Sequence, residues 1–321
     1  VLVENRPLGG MEQLGLGYED LKKINPGLIM TSIKPFGRSG PYKDYKAYSL
    51  NISHVSGQGY LLPLLSPDSE RPPVKAGGNS SDYDPGLVTV VAVMAALFWK
   101  GVTGKGQFIE LSKQEALMSM QRVESVSFAN GGPSMSRLGL RQGRQPGGIL
   151  PCKDGYVYFI FGGGGFGGLV QSSRAMVEWA NEEGMLMEFK DSDFSQWDMS
   201  TITQEENDQR NAIVGDFLKT KTKAELYEQA VKRGIMLAPC NTIVDTTRNA
   251  QLEARGFWEK VEHPELGETI TYPGAPLKIK ETPWRIQRRA PLIGEHNEEV
   301  FVEELGFSRE EMAVLKASGV V

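Results

Sequence analysis

Asp82 and Asp84 are the residues of this chain best suited to chemistry, because they stand at the entrance to a segment, residues 87–99, that is apolar but for Thr89. A carboxylate in that position has two readings. As a helix cap it is favoured by residue type, and the helix start stabilises its charge by about 0.3–1 kcal/mol. As a nucleophile it uses the same field to stay ionised, while the glycines and small serines at 77–81 leave room for a substrate to approach. Both readings stand on sequence alone.

Other reactive groups offer less. Gly162, Gly163, Gly164 and Gly165, with Gly167 and Gly168 after Phe166, follow a predicted strand and precede a predicted helix, which invites comparison with a phosphate-cradling loop. No acidic strand end follows at the distance of about 20 residues that a dinucleotide fingerprint needs, and no Gly-Lys-Ser/Thr follows to make a Walker loop. His54, His263 and His296 are scattered, with no metal spacing, and His54 falls on a predicted packed helix, where it reads as a core histidine. No G-x-S-x-G elbow supports a serine hydrolase. Lys22, Lys23, Lys43, Lys46, Lys100 and Lys105 are candidate phosphate contacts, most of them ordinary solvated charges.

The elements that must hold these groups alternate strand and helix. Residues 1–3 predict a buried strand, 18–24 a helix and 28–33 a second strand, with Asn25-Pro26-Gly27 breaking between the last two. That rhythm gives an α/β fold with a parallel sheet, and residues 35–46 form the loop after the second strand, where open α/β sheets bind ligands. Further on, 48–57 reads as a helix, 63–75 as a Pro-rich excursion, 87–100 as a buried apolar helix, 103–107 as a tight turn, 108–111 as a strand and 113–130 as one long helix. The organisation expected is a large domain over 1–135, a linker over 136–148, a small α/β domain over 149–240 and a return to the large domain over 241–321. Within the small domain, 156–161 and 237–244 predict strands, 171–182 and 223–233 helices, and 189–209 a polar insertion; near the end, 308–317 predicts a helix.

Composition narrows the function. The 321 residues are 40% hydrophobic, enough for two domain cores, and a net charge of −5 argues against a nucleic-acid footprint. The apolar run over 87–99 is shorter than the roughly 20 residues of a membrane span, so no membrane partner is expected. Cys152 and Cys240 form no metal-type or redox-type pair, which fits reduced thiols and a cytoplasmic protein. The first residues do not read as a positively charged, apolar leader, and the chain is expected to begin in mid-fold.

Six motifs then occur in order: Val3-Glu4-Asn5-Arg6-Pro7; Leu14-Gly15-Leu16-Gly17-Tyr18 with Ile24-Asn25-Pro26; residues 32–42, from Ser32-Ile33-Lys34-Pro35-Phe36-Gly37 to Gly40-Pro41-Tyr42; Asp82-Tyr83 with Gly86; Thr103-Gly104-Lys105-Gly106-Gln107; and Ala290-Pro291-Leu292-Ile293-Gly294-Glu295-His296. Together they resemble the family III CoA-transferases, which include formyl-CoA, carnitine and benzylsuccinate CoA-transferases and 2-methylacyl-CoA racemase. The resemblance implies a Rossmann-like large domain with a smaller α/β domain in an interlocked dimer, and members that begin earlier, so that this chain lacks an N-terminal portion. It implies Asp82 as the nucleophile that accepts the acyl group and then carries CoA as a thioester, with acyl-CoA and a carboxylic acid as substrates and no permanently bound cofactor. Contacts to CoA or substrate are implied at Asn5, at Tyr48, and at Gly143 and Arg144, which stand where formyl-CoA transferase has a glycine loop; Lys46 joins them as a phosphate contact. Arg144 would favour a dicarboxylate acceptor. In the racemase branch a histidine aligns with Tyr48, and a phenol of pKa about 10 is a poor proton exchanger at neutral pH, so transfer is favoured over racemisation. The alternatives are a racemase or epimerase, or a non-catalytic subunit of a two-subunit transferase, with a homodimer or heterodimer accordingly.

Overall fold

The structure, a computed structural model, describes residues 1–63, 72–132, 147–164, 167–197 and 202–321. It divides into two compact units, Val1–Cys240 and Asn241–Val321.

The first unit opens with a three-stranded parallel sheet in the order β1 (Leu2–Glu4), β2 (Met30–Lys34), β3 (Phe108–Ser112). Helices α1 (Gly10–Gln13) and α2 (Tyr18–Ile24) lie between β1 and β2; α3 (Ser49–Val55) and α4 (Ser80–Thr103) lie between β2 and β3. Parallel strands need such crossovers, and the arrangement puts the carboxyl ends of all three strands at one edge. The turn from α4 into β3 depends on Gly106: its N–H donates to the Pro26 carbonyl at 2.9 Å, and a Cβ there would collide with the Leu28 carbonyl oxygen.

Three expectations over this stretch change. Val1-Leu2-Val3 is not a buried strand: β1 runs one residue later, Val1 and Val3 are exposed, and Glu4 is the buried residue. As an edge strand, β1 buries only what its neighbour covers. The single helix predicted over 113–130 is two helices, α5 (Lys113–Met120) and α6 (Arg122–Ala129), because Gln121 leaves helical geometry at φ −86°, ψ 64°. The apolar helix predicted as buried is instead largely exposed within this chain. Its 24 residues bury Ser81, Pro85, Thr89 and Ala96, a narrow face of small residues against α3 and α5, and leave Leu87, Val90, Val91, Met94, Phe98 and Trp99 exposed. Those exposed positions follow helical spacing and form an apolar stripe. The helix is also long and apolar enough to cross a membrane, contrary to the estimate from residues 87–99, although the core helix of a soluble protein meets the same test.

The rest of the unit is an antiparallel sheet of β4 (Gly147–Cys152), β5 (Gly155–Ile160) and β6 (Leu237–Pro239), with helices α7 (Gly167–Glu182), α8 (Gln204–Leu218) and α9 (Lys223–Arg233). Val157, Phe159, Phe161, Met176, Phe217 and Leu226 make its fully buried core. Helix α8 replaces part of the polar insertion read from the sequence. Its start is polar, closed by a reciprocal cap between Thr203 and Glu206, and only its last turn supplies core residues, Val214, Phe217 and Leu218.

The second unit holds α10 (Ile243–Thr247), α11 (Ala250–Ala254), the hairpin β7 (Trp258–His263) with β8 (Glu268–Pro273), a π-helical stretch Glu298–Glu304 and α12 (Arg309–Ala317). The strand predicted over 237–244 therefore ends at Pro239, where Thr242 caps α10. Ser308 caps α12 as its sequence predicts.

Candidate active site

Asp82 lies in the first turn of α4, but it does not cap it. Asn79 is the cap residue, and the Asp82 backbone N–H donates to the Asn79 carbonyl at 2.8 Å. The Asp82 carboxylate is free for other partners and accepts from Lys113 Nζ at 2.5 Å. Its side chain is 40% exposed and that of Lys113 is 20% exposed, so the pair is open to solvent and to ligands. The hydroxyls of Ser49, Ser80 and Ser81 are buried and have no partner among the described residues.

Lys113 was not singled out from the sequence. It is the first residue of α5, directly after Ser112 closes β3, and Ser112 caps the helix by accepting from the Glu115 N–H. The Gln114 N–H donates to the Pro35 carbonyl at 3.1 Å, and Gln114 Nε2 donates to the Val55 carbonyl at 3.2 Å. Lys113 is thus set between the loop after β2 and helix α3. The available signal was its place at the carboxyl end of a parallel strand, a position that α/β folds use for ligands.

The same sheet edge carries further site candidates. Asn5 follows the last residue of β1 and is exposed. The loop over residues 35–46 leaves β2 there, anchored by Arg38, which reaches Glu12 at 2.5 Å, donates to Ser32 Oγ at 3.3 Å and lies over the Phe108 ring at 5.3 Å. The Glu12 backbone N–H and the Arg38 guanidinium hold the Glu12 carboxyl below the usual range. Lys46 is exposed on this loop, and Tyr48, 77% exposed, caps α3, its N–H donating to Asn51 Oδ1 at 3.0 Å. Helices α3, α4 and α5 pack on one another, which gathers Tyr48, Asp82 and Lys113 onto neighbouring elements. Gly143 and Arg144 lie outside the described residues.

Beneath this edge sits a buried ion pair. Lys34 Nζ donates to both Glu4 carboxylate oxygens at 2.7 and 2.8 Å and also to the Arg6 carbonyl, while the Arg6 N–H donates to Glu4 Oε2 at 2.8 Å. Burial alone would raise the Glu4 pKa; hydrogen bonds from Lys34, Ser32 and the Arg6 backbone outweigh it and hold the group below the usual carboxylate value.

Other sequence candidates are structural. Ser173 Oγ donates to the Gly162 carbonyl and accepts from the Gly162 N–H, and a Cβ on Gly163 would collide with the Phe194 carbonyl, so these glycines serve close backbone packing. His54 is exposed and is no core histidine; its ring lies against Gly59. His263 is the buried histidine, between Glu265 Oε1 and the Tyr272 hydroxyl, each at 3.0 Å. No group of potential metal ligands occurs among the described residues.

The model of CoA-transferase family III matches residues 1–297. The BbsE subunit of succinyl-CoA:(R)-benzylsuccinate CoA-transferase of Thauera aromatica is 32% identical, over 94% of this chain and 72% of its own length. A formyl-CoA:oxalate CoA-transferase of Streptomyces avermitilis is 29% identical over 100% of this chain and 78% of its own. The beta subunit of a succinyl-CoA:L-malate CoA-transferase of Chloroflexus aurantiacus is 29% identical over 100% and 76%. Among solved structures, a CaiB/BaiF family protein of Brucella suis superposes with a TM-score of 0.76 and 26% identity, covering 94% of this chain and 74% of that one. The chain belongs to CoA-transferase family III, and it is an enzyme of CoA transfer.

Proposed function

We propose that this protein moves CoA from an acyl-CoA to a carboxylic acid through a thioester on Asp82. The observation that carries the reading is a half-exposed carboxylate in the first turn of a largely apolar helix, free of capping duty and held against a lysine at the carboxyl edge of a parallel sheet. The carboxylate is the nucleophile.

The steps balance without a net proton. An Asp82 oxygen attacks the donor carbonyl, the C–S bond breaks and CoA leaves as thiolate, giving a mixed anhydride. The thiolate attacks the Asp82 carbonyl and expels the donor acid as carboxylate, leaving aspartyl-CoA. The acceptor carboxylate attacks that thioester and expels the thiolate, which then attacks the acceptor carbonyl of the second anhydride and restores the Asp82 carboxylate. Thioester energy is conserved as long as water is kept from the intermediates. Asn5, Lys46 and Tyr48 are the proposed CoA contacts, and the relatives suggest succinyl-CoA or formyl-CoA as first donors to try.

The proposed assembly is a dimer working in the cytoplasm. The exposed apolar stripe of α4 supports the first part and the two free cysteines suit the second. Because the BbsE and malate relatives are named as subunits, pairing with an unlike chain is the second reading.

The test is peptide mass mapping after incubation with succinyl-CoA or formyl-CoA and hydroxylamine, which converts an activated aspartate to a hydroxamate. The label is expected on the peptide bearing Asp82 and absent from Asp82→Asn, whose turnover falls by at least about a thousandfold. A folded wild-type chain that takes no label from any donor, alone or with a partner subunit, overturns the covalent route.

A further inference from the structure

We infer that Lys113 is the docking cation for the acceptor carboxylate, released for that task only when Asp82 is acylated. The inference rests on the aspartyl-thioester reading above and adds a residue that the reading does not need.

Three observations lead to it. Lys113 Nζ pairs with the proposed nucleophile itself, at 2.5 Å, across 31 residues of sequence. The pair is only partly covered, with side-chain exposures of 20% and 40%. Exposed pairs of this kind contribute little to stability, so holding the fold is a weak reason for the lysine to be there. The residues on either side of it, by contrast, are tied down: Ser112 Oγ accepts from the Glu115 N–H, and the Gln114 N–H donates to the Pro35 carbonyl. The chain therefore anchors the base of this lysine and brings its ammonium group to a spot where the stabilising return is small.

Charge bookkeeping supplies the use. In the resting enzyme the Asp82 carboxylate neutralises Lys113. In aspartyl-CoA the same side chain is an uncharged thioester, so Lys113 loses its counterion at the stage when the acceptor acid must enter. The attacking oxygen has to come within roughly 3–3.5 Å of the Asp82 carbonyl carbon. A cation already within hydrogen-bond reach of an Asp82 oxygen can therefore hold the other oxygen of that incoming carboxylate. The donor carboxylate expelled earlier meets the same cation on its way out, since that step is the reverse of acceptor attack. No bond to Lys113 forms or breaks at any stage. Before acylation Lys113 is itself neutralised by Asp82, so the swap favours the order donor first, acceptor second.

The experiment compares discharge of the charged enzyme by two nucleophiles. Wild type, Lys113→Met, Lys113→Gln and Lys113→Arg are charged with excess succinyl-CoA, freed of donor, and mixed either with L-malate or oxalate or with neutral hydroxylamine. Loss of the carboxylate partner predicts discharge by the acid about ten- to a hundredfold slower in the Met and Gln variants, with Arg restoring most of it. Discharge by hydroxylamine should stay within about threefold of wild type, since that nucleophile has no charge to pair. Equal slowing with both nucleophiles, no slowing with either, or a folded Met or Gln variant that cannot be charged at all overturns the role of Lys113 while leaving the thioester in place. A wild-type chain that is never charged removes the thioester itself, and with it this role.

Discussion

Replacing Lys34 by Met tests the link between the buried ion pair and the sheet edge that carries the site. Lys34 and Glu4 side chains are 4% and 5% exposed, and the ammonium contacts both carboxylate oxygens and the Arg6 carbonyl. Methionine matches the length of the stem, so the loss is electrostatic rather than a cavity. Glu4 would then keep the Arg6 N–H and Ser32 but face burial without its cation. Removing one partner of a buried pair costs about 3–5 kcal/mol, a large share of the roughly 5–15 kcal/mol of a whole domain. The double variant Glu4→Leu with Lys34→Met leaves no buried charge and should recover most of that loss. The pH dependence has a definite sign. In the parent the folded Glu4 pKa is depressed, so its contribution is full above the ordinary value of about 4.3 and is lost as pH falls through the folded value. In Lys34→Met burial is opposed by less and the folded pKa rises, so protonation relieves the variant and the gap to the parent narrows on acidification. Urea unfolding of the full chain, followed by circular dichroism at pH 7 and pH 4, measures both effects. A Lys34→Met variant within about 1 kcal/mol of the parent at pH 7, or a gap that widens in acid, would refute the reasoning, since exposed pairs behave that way.

Two further outcomes follow from local geometry. Gly106→Ala forces its Cβ into the Leu28 carbonyl, so the variant should lose soluble yield or cooperative unfolding, whereas Gly101→Ala, with open space around it, should not. Met94→Glu on the exposed stripe of α4 should cost an isolated chain no more than about 0.5 kcal/mol but should dissociate a dimer that covers the stripe; light scattering that gives the same mass for both proteins, monomer or dimer, counts against α4 as the contact.

The sequence was legible where local rules act alone. Helix α2 was read to the residue because Tyr18–Ile24 is bounded by Gly17 and by Asn25-Pro26-Gly27. Helix α12 was read to within one residue because Ser308 and Glu311 form a reciprocal cap. Helix α8 was missed because its core residues are confined to its last turn, so no apolar period runs along it. The break at Gln121 was missed for a different reason: Gln121 Nε2 donates to the Ser56 carbonyl at 2.7 Å, a tertiary partner 65 residues away. Asp82 could be picked out by its setting at the head of an apolar helix. What it does there could not, because capping and nucleophilic readings predict the same residue type.

The geometry separates those readings through a residue the local rules never weigh. Asn79 takes the cap position, which frees the Asp82 carboxylate, and Lys113 takes up the charge. The Lys34–Glu4 and Lys113–Asp82 pairs both sit near the carboxyl ends of parallel strands, yet they differ in cover by several-fold: Lys34 and Glu4 are almost wholly enclosed, while Lys113 and Asp82 are partly open. An enclosed pair fixes the edge and is costly to break. An open pair is inexpensive to break, which is what the proposed thioester cycle on Asp82 asks of its partner. The difference in burial thus suits one pair to the scaffold and, on the proposed thioester route, the other to the reaction.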